Sequence, residues 1–260
     1  MELSVVVPAF NEEQRILASL ERIGAFLLAW QGASELLCVD DGSTDRTAEL
    51  VEEYGRRAPV ETRLLRNGRN RGKGASVRLG LLEARGRLLL FTDADLSAPI
   101  EEAVLLLEPL RAGRLDVAVG SRAVDRSRIG RPQALPRDLL GRSFNQVIRR
   151  LTGLPIFDTQ CGFKAFRAAP VRPLLEAMRT EGFGFDVELL GLCQAAGLRL
   201  GEISVAWNHV DGSKVHVLRD GLRMLGDALA FTRRLRRRQY AAALEAARAA
   251  RSERAPSPLR

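Results

Sequence analysis

Cysteine, histidine, lysine and aromatic residues are all scarce in this chain of 260 residues. Its three cysteines (Cys38, Cys161, Cys193) are odd in number, widely spaced and form no CxxC pair. With only His209 and His216 beside them, they offer neither a disulfide framework nor a zinc site, and reduced cytosolic thiols are the expectation. Neither histidine is assigned a catalytic role. Aromatic residues at 5% leave no stacking platform for RNA, and no zinc-finger or helix-turn-helix pattern is present, so no nucleic acid partner is expected. No apolar stretch approaches the roughly 18–20 residues of a membrane span. The first residues lack a basic region followed by an apolar one, so secretion is not expected.

Hydrophobic residues at 46% and charged residues at 28% are globular values and exclude disorder throughout. The net charge of +8 is unevenly placed: residues 219–260 carry eleven Arg against four acids, which leaves the rest nearly neutral. Of the basic residues 37 are Arg and three are Lys (Lys73, Lys164, Lys214), a lopsidedness read as coding bias.

Short apolar runs at Leu3–Pro8, Glu35–Asp40, Arg63–Leu65, Leu88–Thr92 and Asp116–Gly120 predict buried strands. Helical spacing between them predicts helices at about 12–30, 44–57, 73–85 and 99–112. This alternation predicts an α/β fold with a mostly parallel central sheet flanked by helices. Ligands of such sheets bind outside the carboxyl ends of the strands. Residues 122–142 carry six Arg with Gly130, Pro132 and Pro136, and read as a mobile basic loop leading into a helix at about 138–152. A strand at Gly162–Phe166, helices at 170–180 and 185–196, and a strand at 200–206 follow. One long helix then starts near 217, with Leu218, Leu222, Leu225 and Leu229 as its apolar stripe. The expected division is a body at 1–216, a basic amphipathic helix at 217–251 and a flexible tail at 252–260.

Four polar stretches follow predicted strands. Asp93-Ala94-Asp95 places two carboxylates together, which a hard cation such as Mg²⁺ or Mn²⁺ would relieve. A capped turn is the plainer alternative. Asp40-Asp41-Gly42-Ser43-Thr44 is either a strand–turn–helix junction, with Ser43 or Thr44 capping the helix, or a carboxylate that accepts from a nucleotide base. Pro8-Ala9-Phe10-Asn11-Glu12-Glu13 reads as a helix start with acids in its first turn. Asn70-Arg71-Gly72-Lys73-Gly74 is either a phosphate cradle or a basic turn, and it lacks Walker A spacing.

In order, VVVPAFNE, VDDGSTD, NRGKGASVRLG, FTDADLSAP and GSR resemble the inverting glycosyltransferases of family 2. The later stretches DTQCGFK, GFDVELL and VAW followed by GSK resemble the polyprenyl-phosphate sugar transferases in that family. They are nearer to dolichyl-phosphate β-glucosyltransferase than to dolichyl-phosphate mannose synthase. The resemblance covers residues 3 to about 215 and implies the glycosyltransferase A fold, which is Rossmann-like. It implies that Pro8, Phe10 and Glu12 line a nucleoside pocket, that Asp41 holds the base with Asp40 beside it, and that Lys73 faces the nucleotide. It places Asp93 and Ala94 at ribose and pyrophosphate and Asp95, with Asp93, at a Mg²⁺ or Mn²⁺ ion. Arg122, Arg137 and Lys214 become candidates for donor or acceptor phosphates. Where mannose synthase-like relatives carry a metal-ligating Gln, this chain has Ser97.

The implied reaction is inverting transfer of a hexose, glucose from UDP-glucose first, to a polyprenyl or dolichyl phosphate. Alternatives are a GDP-mannose-dependent enzyme, an enzyme acting on a soluble phosphorylated or glycan acceptor, and a nucleotide-sugar-binding protein without turnover. A phosphate monoester is largely ionised near pH 7 and needs no strong base. A sugar hydroxyl would need one, and Asp158 or Asp186 could serve, although turn formation and helix capping are plainer roles for both. Trp207 is expected in the core. The expected location is cytoplasmic, peripheral on the inner face of the cell membrane, with the C-terminal helix on an anionic surface. The oligomeric state stays open.

Overall fold

The computed structural model describes residues 1–133, 135–210 and 217–252, without the side chains of 136, 137, 217 and 218. Strand β1 (Leu3–Ala9) leads to helix α1 (Ile16–Ala29), β2 (Ser34–Asp40) to α2 (Thr47–Arg57), and β3 (Glu61–Arg66) to α3 (Lys73–Glu83). Strand β4 (Leu88–Thr92), helix α4 (Ala103–Arg111) and β5 (Val117–Ser121) follow. After them come β6 (Ile129–Arg131), α5 (Leu135–Thr152), β7 (Phe163–Arg167), α6 (Ala168–Ala177), α7 (Phe185–Ala195), β8 (Leu200–Ser204) and β9 (Trp207–Asn208). Helices α8 (Val217–Arg236) and α9 (Ala241–Ser252) close the described chain.

Seven strands form one sheet in the order β3-β2-β1-β4-β7-β5-β8, and β7 alone runs antiparallel to its neighbours. Side chains alternate across it. Val5, Val7, Leu36 and Cys38 join one apolar layer with α1, α2 and α4, while Val6, Leu37 and Val39 join the other with α3, α6 and α7. A Cβ at Gly80 would run into Val6 and Val39, so this glycine lets α3 lie close against the sheet. The chain reverses direction across the sheet at β1. Pairing with β4 ends at Val6–Phe91, whereas pairing with β2 runs on to Ala9–Asp40. The two central strands thus part at their carboxyl ends, and Pro8, which has no N–H to donate, falls beyond the β4 pairing.

Two expectations are corrected. The basic loop at 122–142 contains a short 3₁₀ turn (Arg126–Arg128), and β6 pairs in parallel with β9. The helix after it begins at Leu135. The single C-terminal helix is two, with Arg238 left-handed (φ 56°) between them. Its buried face is Met224, Ala228 and Phe231, joined by Tyr240 and Ala247, whereas Leu222 and Leu229 of the expected stripe are 73% and 52% exposed.

Buried acids at the amino ends of the strands are matched by arginines. Glu35 accepts from Ser4 Oγ (2.6 Å) and from Arg85 Nε and Nη2 (3.0 and 2.8 Å), with Arg63 at 3.2 Å. Asp116 accepts from Arg199 N (2.9 Å), Arg199 Nε (3.2 Å) and Arg167 Nη1 (3.2 Å), and Arg251 Nε of α9 stands 2.9 Å away. Burial alone would raise both carboxyls, but the guanidinium groups hold them below their ordinary values. Groups with depressed folded values stabilise the protein above the unfolded carboxylate range, about pH 4, and that contribution disappears as pH falls through the folded values. Denaturant midpoints are therefore expected to drop steeply between pH 5 and pH 3, by about 1 M urea or more. Asp116→Ala, which strands three guanidinium groups, is expected to cost about 3 kcal/mol in urea unfolding at pH 7.

Candidate functional site

The loops after β1 and β2 are laced together. Asn11 is left-handed (φ 52°). Its N–H donates to Ser43 Oγ (2.9 Å), its Oδ1 accepts from Thr44 N (2.8 Å), and Glu12 N donates to Thr47 Oγ1 (2.7 Å). Ser43 and Thr44 therefore bind the first loop rather than cap α2, where Asp45 Oδ1 accepts from Thr47 N (3.0 Å) instead. Asp40 accepts from Ser43 N (3.2 Å) and shapes this turn. Asp41 accepts from Asn67 Nδ2 (2.7 Å), Arg71 N (3.0 Å) and Gly72 N (2.8 Å), which fixes the entry to α3.

A cavity of about 710 Å³ opens where β1 and β4 part. Pro8, Phe10, Glu12 and Asp41 reach it from the first two loops, and Lys73, Asp93, Ala94 and Asp95 from α3 and β4. Asp40 is absent from its lining. Arg219, Arg223, Met224 and Asp227 of α8 also line it, which sequence reasoning missed. Only a polar spacing on the helix face opposite the leucines could have indicated them.

A second cavity of about 450 Å³ adjoins the first, and Lys73, Asp93, Asp95, Phe183 and Met224 line both. Its far wall is apolar, with Leu140, Phe144 and Val147 of α5 and Leu222 and Leu225 of α8. Arg122 faces it, held by Asp158 through Nε (2.7 Å) and Nη2 (2.8 Å), with the guanidinium 5.3 Å from the Trp207 ring centroid. Burial would raise the Asp158 carboxyl, yet Arg122 holds it below its ordinary value. Asp158 is buried behind Arg122 and is absent from the cavity wall, so it supports that arginine. Trp207 is buried as expected, but its indole also lines this cavity. Lys214 and His216 lie outside the described residues, as does the side chain of Arg137.

Charges alternate between the cavities. Lys73 Nζ stands 2.6 Å from Asp93 Oδ1, and Lys164 Nζ stands 2.6 Å from Asp186 Oδ1. Lys164 also donates to Cys161 O (2.5 Å). Asp186 thus pairs with a lysine instead of capping α7, and Glu188 accepts from Thr180 N (2.7 Å) and Tyr240 Oη (2.5 Å). Desolvation works against the Lys73 ammonium, but Asp93 and Asp186 keep its pKa above the ordinary value. Burial raises the Asp186 carboxyl, against the pull of Lys164 and Lys73. Burial likewise pushes the Cys161 thiol up to about 12, which makes it an inert packing group.

The Asp93–Asp95 turn is fixed. Asp95 Oδ1 accepts from Ser97 N (2.9 Å), and Leu96 N donates to Asp93 O (3.1 Å) with Leu96 left-handed (φ 47°). A Cβ at Gly162 would fall on the Asp93 carboxylate, so only glycine leaves that side chain its place. Among the described residues no three His, Cys, Asp or Glu side chains gather as a metal cage. Two hard oxygen donors with a lysine ammonium already on one of them suit a divalent ion that takes its other ligands from phosphates and water.

Residues 4–175 match the family described as Glycosyl transferase family 2. The chain is 38% identical to dolichyl-phosphate beta-glucosyltransferase of Drosophila melanogaster, over 83% of this chain and 69% of that protein. It is 34% identical to the Saccharomyces cerevisiae protein of the same name (86% and 72%) and 32% identical to the human one (88% and 74%). The fold is similar to glucosyl-3-phosphoglycerate synthase of Mycobacterium tuberculosis. Its structure with Mn²⁺, UDP and glucosyl-3-phosphoglycerate superposes at a TM-score of 0.67 and 19% identity, over 89% of this chain and 80% of that one. Its structure with Mg²⁺ and UDP gives 0.67 and 18%, over 89% and 79%. The fold is thus the expected glycosyltransferase A fold.

Displacing a reacting group by about 1 Å costs on the order of 100-fold in rate. Gly162→Ala is expected to lower turnover by that order, because Asp93 must move. Its melting temperature, read by circular dichroism, is expected to stay close to that of the wild type.

Proposed function

This chain belongs to glycosyl transferase family 2, and from that premise we propose that it transfers glucose, with inversion, from UDP-glucose to a dolichyl or polyprenyl phosphate. The observation that carries this reading is the pair of adjoining cavities. One is rich in charged side chains and sits over the parted strands. The other combines an arginine with an apolar wall, and the two meet at Lys73, Asp93 and Asp95. A soluble phosphorylated acceptor would find Arg122 but would leave the wall of Leu140, Phe144, Val147, Leu222 and Leu225 unused.

In this reading the first cavity takes the nucleoside diphosphate, with Pro8, Phe10, Glu12 and Asp41 around the nucleoside. Asp93 and Asp95 would hold Mg²⁺ or Mn²⁺, which when bound offsets the charge of the diphosphate leaving group. Lys73, at the mouth shared by both cavities, keeps a further positive charge between donor and acceptor. The nucleophile is an oxygen of the lipid phosphate, already ionised near pH 7, so the protein has to place it rather than deprotonate it. Arg122 does this: its rigid fork is locked by Asp158 and by the face of Trp207, and it enters the reaction already oriented. Arg137 and Lys214 are proposed as further phosphate ligands.

No helix among the described residues is long and apolar enough to cross a membrane. We place the protein on the cytoplasmic face of a membrane as a peripheral enzyme. The exposed Leu222 and Leu229, with the arginines of α8, meet the anionic interface, and residues 217–251 act as the docking segment.

Radiolabelled UDP-glucose incubated with polyprenyl phosphate and Mn²⁺ is expected to give label that extracts into organic solvent. Label that stays in the aqueous phase, or transfer only to a soluble phosphate, overturns the reading. Asp95→Ala is expected to abolish transfer. Asp158→Asn leaves Arg122 in place but loosens it, and is expected to raise KM for the lipid phosphate about tenfold, one charge-assisted hydrogen bond's worth, while KM for UDP-glucose stays unchanged.

A further inference from the structure

Lys73 is the first residue of α3, where the helix dipole disfavours a cation. Its side chain is only 20% exposed. The carboxylates around it account for this placement. Asp93 is in direct contact at 2.6 Å, and Asp186 and Asp95 act on it electrostatically. A divalent ion at Asp93 and Asp95 would set two cations on one carboxylate, within the range where their repulsion is strong.

We infer that Lys73 is the resident counter-ion of Asp93, and that a divalent cation arriving there drives its ammonium across to Asp186. This inference rests on the metal-assisted donor site of the proposed function. Asp186 suits the second position for three reasons. It is buried at the start of α7 and lines the cavity that Lys73 also lines. Its Oδ1 faces Lys164, which is wholly buried and fixed by Cys161 O, so this first cation stays where it is. Burial still disfavours its negative charge, so a second ammonium is welcome. A lysine has the equipment for the move, with a compact charge, three donors and a flexible four-carbon stem, where a guanidinium fork would not turn in the same space. The exchange keeps every buried charge opposed. Before metal binding Lys73 answers Asp93, and afterwards the ion answers Asp93 while Lys73 joins Lys164 on Asp186.

The test is Mn²⁺ binding to the full chain without sugar donor, read from the electron paramagnetic resonance signal of free Mn²⁺, with and without UDP. Lys73→Met removes the competing cation and is expected to tighten Mn²⁺ about tenfold, within the usual range of site-to-site coupling. Asp186→Asn removes the second position and is expected to weaken Mn²⁺ when Lys73 is present. In the Lys73→Met background it is expected to change nothing, and a merely structural Asp186 would weaken binding equally in both. If Asp186→Asn alone does not fold, Lys164→Met with Asp186→Asn removes the buried pair together and carries the same comparison. Unchanged or weaker binding in Lys73→Met overturns the inference, as does an equal effect of Asp186→Asn in both backgrounds. A wild type that binds no Mn²⁺ even with UDP overturns the metal-assisted reading as well, whereas Mn²⁺ binding that ignores Lys73 overturns this inference alone.

Discussion

Carboxylates withdrawn from solvent at both ends of the strands, Glu35, Asp116 and Asp186 fully and Asp93 in part, have to be answered by cations, because an unpaired charge in a low-dielectric interior is too costly to keep. The molecule answers them differently at its two edges. At the amino ends of the strands, Glu35 and Asp116 are gripped by arginine forks. At the carboxyl ends, Asp93 and Asp186 face lysines. A guanidinium fixes geometry through several directed bonds, whereas an ammonium is a point charge on a flexible stem. The amino-end acids are met by rigid forks, whereas the carboxyl-end acids are met by lysines, of which Lys164 is buried and fixed and Lys73 is the one we infer to move. Arg122 is the exception, since Asp158 locks it at the wall of the second cavity, where we propose that it positions a phosphate.

That contrast also shows what was legible in the sequence. Strand and helix alternation fixed the layers, because uninterrupted apolar runs such as Val5–Val7 and Leu88–Phe91 have no stable place except a sheet covered on both faces. The loops at Pro8, Asp41, Lys73 and Asp93 could be expected to converge because parallel strands deliver their carboxyl ends to one edge. The partnerships were not legible. Lys164 meets Asp186 only because β7 enters the sheet in reverse between β4 and β5, a topological fact that local spacing does not encode. Asp158 pairs with Arg122 across 36 positions for similar reasons. In a chain with 37 arginines, two of three lysines pair with acids that line the cavities, Lys73 with Asp93 and Lys164 with Asp186.

The C-terminal helices were misjudged for a related reason. A leucine stripe predicts a docking face only when no better apolar set competes for burial. In α8 the set Met224, Ala228 and Phe231 lies against the body, and Phe231 would collide with any side chain placed at Gly191 of α7. The leucines are thereby turned outward and into the second cavity, where Leu222 and Leu225 lie opposite α5. One helix thus contributes to the core, to both cavities and to the exposed surface.

Arg251 reaching back to Asp116 has a consequence for the order in which the chain is made. Asp116 flanks β5, the neighbour of edge strand β8, yet one of its counter-charges lies 135 positions later in the sequence. Translation at about 5–20 residues per second releases the sheet well before that arginine has left the ribosome. The nascent body therefore passes through an interval in which β5 carries an incompletely neutralised acid and Phe231, Tyr240 and Ala247 have not yet filled their places beside α6 and α7. Consolidation of the body is a late event of synthesis, and α8 and α9 are what complete it.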